Sequence, residues 1–397
     1  MIEINNIDWL VGSIETLNER PVVPFDETVI EELDALSKAL MKDPASRQYP
    51  DVVTFGFFIR KANLQKLKES SKLSTLNSQL RLGWGLIFHI APSNVPVNFA
   101  YSVVAGLLAG NANVVRVSQK QFPQVDIIVK HMRATNMHRV AVVRYPHESN
   151  ANEVFSSLCN VRVIWGGDAT IETIRKNAIP ARAFDICFAD RYSLAVIKTD
   201  KLSETCKLNP EYLKTLAERF YNDTYLFDQN ACSAPHLVCW LGEKENVKEA
   251  KEVFWETVYA YAKVHYQFQD VMAVDKLTAL YKQAVAMPTH DEQTKDNVLR
   301  RVEIESLPCD IDAFRCAGGY FTECEVESLD DIAPVISAKY QTLAYYGFEK
   351  QELEAFVQRN RLTGIDRIVP FGETTAFSLT WDGRDLIQSM SRVVSIL

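Results

Sequence analysis

The amino-acid sequence predicts an α/β protein built on two doubly wound, mostly parallel sheets, and three observations lead there. From Trp84 onward, short β-branched runs alternate with helical runs four times. The short runs are apolar at nearly every position, the pattern of strands covered by helices on both faces. A second alternating stretch opens at "SLAVIK", which sets an expected boundary near residue 200.

Taken in order, the first eighty residues read as a helical preface. "ETVIEELDALSKALM" repeats apolar residues at Ile30, Leu33, Leu36 and Leu40, and "DVVTFGFFIRKANLQKLKES" has a similar spacing. Then "WGLIFHI" precedes a helical run from Asn94 to Ala109, "NVVRV" one near Phe122 to Thr135, "RVAVVR" one from Asn150 to Leu158, and "VRVIW" the run "DATIETIRKN". Right-handed crossovers between such strands put ligands at the strands' carboxyl ends, so a dinucleotide-binding sheet is expected within 1–200. The second stretch, 201–375, holds an apolar run from His236 to Trp240, the helix-like "KENVKEAKEVFWETVYAYAKV" and a further run near "LDDIAPVISAKY". A closing segment, 376–397, is expected to return to the first domain or to an oligomer interface.

With 397 residues, 47% of them hydrophobic, the chain can bury a large core. A net charge of −8 and no basic stripe with interleaved aromatics exclude nucleic acid as an expected partner. The first twenty residues lack the basic start and apolar core of a signal peptide, and no apolar run reaches ~18 residues. A cytoplasmic protein without a membrane span is therefore expected. The eight cysteines form no C-x-x-C pairs and lack the histidine partners at the spacing of a zinc site, so no metal site is expected and the thiols should be free. Cys159, Cys187 and Cys239 sit in or beside apolar runs, as buried thiols do.

Cys232 stands apart, in the polar stretch "DQNACSAP" between an aromatic segment and an apolar strand. An ordinary thiol, pKa ~8.5, is only slightly ionised at neutral pH, and a nearby cation or helix terminus would make it a nucleophile. Attack on a carbonyl then builds an oxyanion that needs fixed donors. Asn94, between Pro92 and Pro96 in "APSNVP", offers such an amide, or else caps the helix that follows. No G-x-G-x-x-G follows the first strand. Gly166 and Gly167 in "IWGGDATI" instead form either a phosphate-binding turn or a simple strand-to-helix turn, with Asp168 as the expected cap. Arg116, Ser118 and Gln119 share the end of another strand, where Arg116 binds a phosphate or is merely solvated.

In order, "GLIFHIAPSNVP", "LLAGNANVVRVSQ", "IWGGDATI" and "QNACSAP" resemble the aldehyde dehydrogenase superfamily, and "GIDRIVPFGETTAFSLTWDGRDLI" is similar to its acyl-CoA reductase branch. The resemblance implies an aldehyde-dehydrogenase-like fold: a Rossmann-like cofactor domain, a catalytic cysteine domain and a small oligomerisation ribbon near 72–86. It also implies roles: Cys232 as nucleophile, Asn94 as oxyanion-hole amide, Arg116 in place of the usual lysine at the adenosine ribose, with Ser118 and Gln119 at the same strand end, and Gly166 and Gly167 at the pyrophosphate. Gln119, where NAD-preferring members have glutamate, points to NADPH as cofactor.

The water-activating glutamate of aldehyde-oxidising members has no counterpart in "RAFDICFADRYSLAVI", whose nearest carboxylate is Asp190, and the nicotinamide-ribose glutamate has none near "FRCAGGYFTE". Without that base an acyl-cysteine persists, so the expected activity is reduction of a fatty acyl thioester to the aldehyde. The alternatives are a short-chain, CoA-acylating aldehyde dehydrogenase and a noncatalytic acyl-binding subunit. Acyl-CoA or an acyl carrier is the implied substrate, with an acyl-transferring partner enzyme and a homo-oligomer, dimer or tetramer, in which the "RVVSIL" ending is completed by a neighbour.

Overall fold

In the computed structural model, residues 4–71, 80–135, 137–292 and 296–396 are described. The chain forms two compact units, Met1–Ala189 with Phe377–Leu397, and Asp190–Ala376.

The first unit begins with a strand, β1 (Asp8–Val11), where the helical preface leaves no room for one. It runs antiparallel along the edge of the main sheet. Helix α1 (Glu27–Lys42) follows, its first turn capped by the Asp26 carboxylate, which accepts the Thr28 N–H at 3.0 Å. The second predicted helical run is two helices, α2 (Pro50–Phe58) and α3 (Lys61–Ser70), broken at Ile59 and Arg60. Strand β2 (Leu80–Gly83) is the part of the expected ribbon that can be described; 72–79 lie outside the described residues. The alternating elements come next: β3 (Leu86–Ile90), α4 (Asn98–Leu108), β4 (Ala112–Arg116), α5 (Pro123–Ala134), β5 (Val140–Arg144), α6 (Ala151–Leu158), β6 (Val161–Trp165), α7 (Asp168–Arg175) and β7 (Phe184–Phe188). The sheet order is β1-β5-β4-β3-β6-β7, parallel except for β1. The chain therefore reverses its direction of travel across the sheet between β3 and β6, and crevices for ligands open at the carboxyl ends of strands at such a point.

Beneath that point lies a polar chain inside an otherwise apolar core. Trp165 Nε1 donates to Ser102 Oγ at 3.0 Å, and His89 Nδ1 lies 2.8 Å from the same hydroxyl. His89 Nε2 is 2.9 Å from Asn113 Oδ1, and Asn113 Nδ2 donates to the Asn111 carbonyl. The network closes when Ser102 donates to Nδ1 and the imidazole is neutral, with its proton on Nε2. Burial likewise pushes the His89 pKa down, to about 4.

The second unit starts with β8 (Tyr192–Lys198), so the strand read as "SLAVIK" belongs wholly to it. Then come α8 (Thr199–Leu208), α9 (Pro210–Thr224), β9 (Pro235–Leu241), α10 (Lys244–His265), α11 (Val271–Ala286), β10 (Thr289–Glu292), β11 (Arg300–Ile304), β12 (Tyr320–Val326), β13 (Tyr340–Tyr346), α12 (Lys350–Asn360) and β14 (Arg367–Pro370). "LDDIAPVISAKY" forms a 3-10 turn, Leu329–Val335, between β12 and β13. The sheet order is β10-β11-β12-β9-β8-β13-β14, parallel except for β10. One face buries Phe220, Trp240, Phe254, Trp255 and Phe321; the other buries Tyr192, Leu237, Cys239 and Tyr340.

The closing segment returns to the first unit through β15 (Thr380–Trp381), β16 (Arg384–Asp385), α13 (Leu386–Ser389) and β17 (Ser391–Val394). Strand β17 pairs antiparallel with β2 of the same chain. Arg81 fixes that pairing: its Nε donates to Ser391 Oγ and its Nη2 to the Gln388 and Ser391 carbonyls, each at 2.8 Å. The expected pairing of the ending with a neighbour is thus supplied, along one edge, from within.

Candidate active site

In the first unit, three connections surround the switch point. The β3–α4 connection carries Asn94, exposed and in a bend. Helix α4 starts only at Asn98 and its N-cap is Val97, so Asn94 is not the helix cap that the sequence left open. Alongside, Ala91, Pro92 and Pro96 from this connection with Phe99 of α4, and Val117, Ser118 and Phe122 from the β4–α5 connection with Val125 of α5, line a groove at the strand ends. Its walls are apolar apart from Ser118, whose Oγ accepts the Lys120 N–H at 3.1 Å.

Arg116, the last residue of β4, lies with its guanidinium 5.1 Å from the centre of the Tyr145 ring. Its Nε is buried and has no hydrogen-bond partner among the described residues. A buried N–H without an acceptor is costly and asks for one from outside. Gln119 is exposed just beyond.

The third connection follows β6. Gly166 continues the strand pairing, its N–H donating to the Phe188 carbonyl at 3.1 Å. Gly167, not Asp168, is the N-cap of α7; Asp168 is the first helical residue. With φ −65° and ψ 161°, Gly167 needs no glycine for its backbone, and a Cβ added there meets nothing within 4 Å. The open space beside it lies at a helix N-terminus whose cap makes no side-chain hydrogen bond. A phosphate fits such a place by both room and charge.

In the second unit, Cys232 is half-buried in a turn directly before β9. The turn is held by groups distant in sequence. Ser193 Oγ, on β8, donates to the Cys232 carbonyl at 2.7 Å and accepts the Thr342 N–H at 3.2 Å. The buried Gln229 side chain uses both ends of its amide. Its Nε2 donates to the Pro235 and Tyr320 carbonyls at 2.9 and 3.0 Å, and its Oε1 accepts the Gly319 and Tyr320 N–H groups at 2.9 and 3.1 Å. Asp228 and Gln229 both adopt left-handed backbone, φ 52° and 59°. Two such non-glycine residues in succession persist only where surrounding contacts impose them. Those contacts include Tyr266, whose hydroxyl donates to Asp228 Oδ1 at 2.9 Å, and the Gly318 N–H, which donates to the Asp228 carbonyl.

Gly318 and Gly319, at φ 69° and 86°, are required here; a Cβ on Gly319 would lie 2.4 Å from Tyr225 Oη. Behind them the buried Lys276 ammonium donates to the Asn297, Val298 and Gly319 carbonyls, at 2.6, 3.3 and 3.3 Å. Burial lowers its pKa to about 7. Gln229, Ser193 and Lys276 are residues that the sequence reading did not single out.

The carboxylates in the two stretches where the sequence offers no family glutamate are engaged elsewhere. Both Asp190 oxygens accept from Arg315 Nη2, at 2.7 and 2.6 Å. Glu323, at the end of "FRCAGGYFTE", is buried in mid-strand, accepting from Trp240 Nε1, Trp255 Nε1 and Arg301 Nε at 2.7, 2.7 and 2.6 Å. Cys159 and Cys239 are buried, and burial raises both thiols, that of Cys159 to about 12. No group of His, Cys, Asp or Glu that could hold a metal ion exists among the described residues, and no described helix is long and apolar enough to cross a membrane.

Solved structures share this fold. A 1-pyrroline-5-carboxylate dehydrogenase superposes with a TM-score of 0.65 at 10% identity, covering 93% of this chain and 80% of that one. Lactaldehyde dehydrogenase from Escherichia coli does so with a TM-score of 0.63 at 10% identity, covering 92% and 85%. The fold is that of aldehyde dehydrogenases. A curated relative, the long-chain acyl-protein thioester reductase of Vibrio harveyi, is 24% identical over 330 residues, 78% of this chain and 63% of that protein. The acyl-CoA reductase (LuxC) family model matches residues 61–393, most of the chain, and the chain belongs to that family.

Proposed function

We propose that this protein reduces a fatty acyl thioester to the aldehyde through an acyl-cysteine on Cys232, with NADPH as the hydride donor. The observation that carries the reading is the Cys232 turn, held on both sides by Gln229 and Ser193 yet leaving the residue half-buried rather than sealed in the core. A thiol positioned so firmly in a turn is fit for a nucleophile.

The Cys232 thiolate attacks the thioester carbonyl, and Asn94 donates its side-chain N–H to the oxyanion that forms. Collapse expels the donor thiolate, which takes up the proton lost by Cys232, and leaves the acyl-cysteine. With Asp190 tied to Arg315, and Glu323 to Arg301 and two indoles, neither carboxylate serves as a water-activating base. When bound, NADPH would supply a hydride to the acyl-cysteine carbonyl; the C–S bond of the resulting alkoxide then breaks, releasing the aldehyde and returning Cys232 as the thiolate. The unpartnered Arg116 Nε fits a ribose or its 2′-phosphate, neutral Gln119 does not repel that phosphate, and the open space at Gly167, in the turn that Gly166 begins, suits the pyrophosphate. An acyl-CoA or acyl-protein is the donor, and a homo-oligomer is the working form.

Incubation with a panel of acyl-CoAs, read by intact mass and by aldehyde formed with NADPH, tests the reading. An acyl adduct on the wild-type protein and none on Cys232→Ala is expected. An adduct persisting on Cys232→Ala would overturn it.

A further inference from the structure

Helix α11 turns an apolar stripe to solvent. Val271, Val274, Leu277, Tyr281 and Val285 are 61, 65, 42, 61 and 90% exposed. The opposite side of the helix buries Lys276, Leu280 and Gln283 against the second unit. Scattered exposed apolar side chains are ordinary, but five in line along one four-turn helix are not. Their spacing is that of a coiled-coil seam: Val271, Thr278 and Val285 fall at a, Val274 and Tyr281 at d, and Leu277 with Ala284 at g. Thr278 does not spoil the seam, because its hydroxyl donates to the Val274 carbonyl at 2.8 Å and is satisfied within the helix.

The charges beside the seam select the occupant. Positions e hold Asp275 and Lys282, both exposed, and the g position preceding Val271 holds Asp270, also exposed. Two copies of α11 packed in parallel would set Asp270 against Asp275 of the other copy, a like-charge contact. Packed antiparallel, e faces e and g faces g. Asp275 then meets Lys282 of the second copy twice over by symmetry, while Leu277 meets the small Ala284. The seam is thus complementary to itself in one orientation, as a two-fold interface must be. We infer that α11 is a self-association surface, on which the antiparallel α11 of a second copy of this chain docks. The seam is about 24 Å long, short enough that association should depend on protein concentration.

Solution mass, measured by sedimentation over a concentration series, tests the inference on the full chain, with melting temperature as the control for folding. Wild type should associate. Asp275→Lys and Lys282→Asp, each placing like charges across the two-fold axis, should cut the associated mass by about half. Asp275→Lys combined with Lys282→Asp should restore it, because the swap re-forms both pairs. Three results would overturn the inference: a wild type that stays monomeric at every concentration, single reversals that leave the mass unchanged, or a double swap that fails to recover. Docking of some different protein on this face would appear as the second of these.

Discussion

The two units carry their candidate groups on similar sheets but hold them differently. In the first, Asn94, Ser118, Gln119 and Gly167 lie on connections that leave the carboxyl ends of β3, β4 and β6, and their positions follow from the backbone. In the second, Cys232 precedes a strand and is fixed by the Ser193 hydroxyl arriving from β8 and by the Gln229 side chain of its own turn, which accepts from the backbone of the Gly318–Gly319 turn. A connection at a sheet's carboxyl edge can be remodelled cheaply, as suits recognition of a cofactor. A nucleophile whose turn is held by a buried amide and a buried hydroxyl tolerates little change, because each lost partner leaves a buried polar group unsatisfied.

Breaking one member of each unit should therefore have unlike consequences. Asn94→Ser shortens the proposed oxyanion donor, and turnover should fall by ~100 to 1,000-fold with little change in melting. Because Val97 caps α4, a loss of turnover could not be assigned to a frayed helix; near wild-type turnover would remove Asn94 from the site. Gln229→Ala strands two N–H and two carbonyl groups, at about 1–3 kcal/mol each before relaxation. Stability should fall by roughly 3 kcal/mol or more, together with the rate of Cys232 acylation. Denaturant melts and acylation rates decide it, and an unchanged melt would mean that the turn is held without this amide.

The same contrast explains what could be read from the sequence. The four β-α repeats, the Cys232 turn and the Gly166–Gly167 corner were legible because each is local: a period, a breaker, a cap. Strand β1 was not, being four residues in a helical context and paired only at a sheet edge. The Asp168 cap was misplaced by one residue, because a glycine whose conformation is ordinary gives no signal of its own. Gln229, inside "DQNACSAP", carries no local signal, since its partner Tyr320 lies 91 positions away. A signal did exist for the buried network: His89 within "LIFHI" and Asn113 within "NANVV" are polar residues in strands otherwise apolar, and such residues must find partners.

Acid sharpens the comparison, because each unit buries one neutral histidine. His89 in the first has both ring nitrogens engaged, and its pKa is lowered to about 4 by burial. His236 in the second is lowered to about 3 by burial and by Arg315, and its Nδ1 has no partner among the described residues. Each imidazole is neutral when folded but gains a proton near pH 6.5 when unfolded. Their contributions are full above that pH and fade as it falls, at about 1.4 kcal/mol per unit, ending near pH 4 for His89 and near pH 3 for His236. Hydrogen exchange should show β9 losing protection less steeply between those limits in His236→Gln than in wild type, the remaining loss coming from carboxylates such as Asp296 whose partners hold their pKa low, whereas a β9 profile identical in both would refute this.

The smallest expected effect lies at Gln119, where the first unit's tolerance is put to use. Its side chain is exposed at the end of β4, so Gln119→Glu should leave the melting temperature within a degree or so. A carboxylate there accepts from a ribose 2′-hydroxyl but repels a 2′-phosphate, which Arg116 beside it would otherwise attract. The ratio of kcat/KM for NADPH over NADH should fall about tenfold, roughly 1.4 kcal/mol. Because the change acts on cofactor choice alone, acylation of Cys232 measured without cofactor should keep its wild-type rate. An unaltered ratio would mean that the ribose lies elsewhere than at the end of β4; a slowed acylation would mean that the two units do not divide the work as proposed.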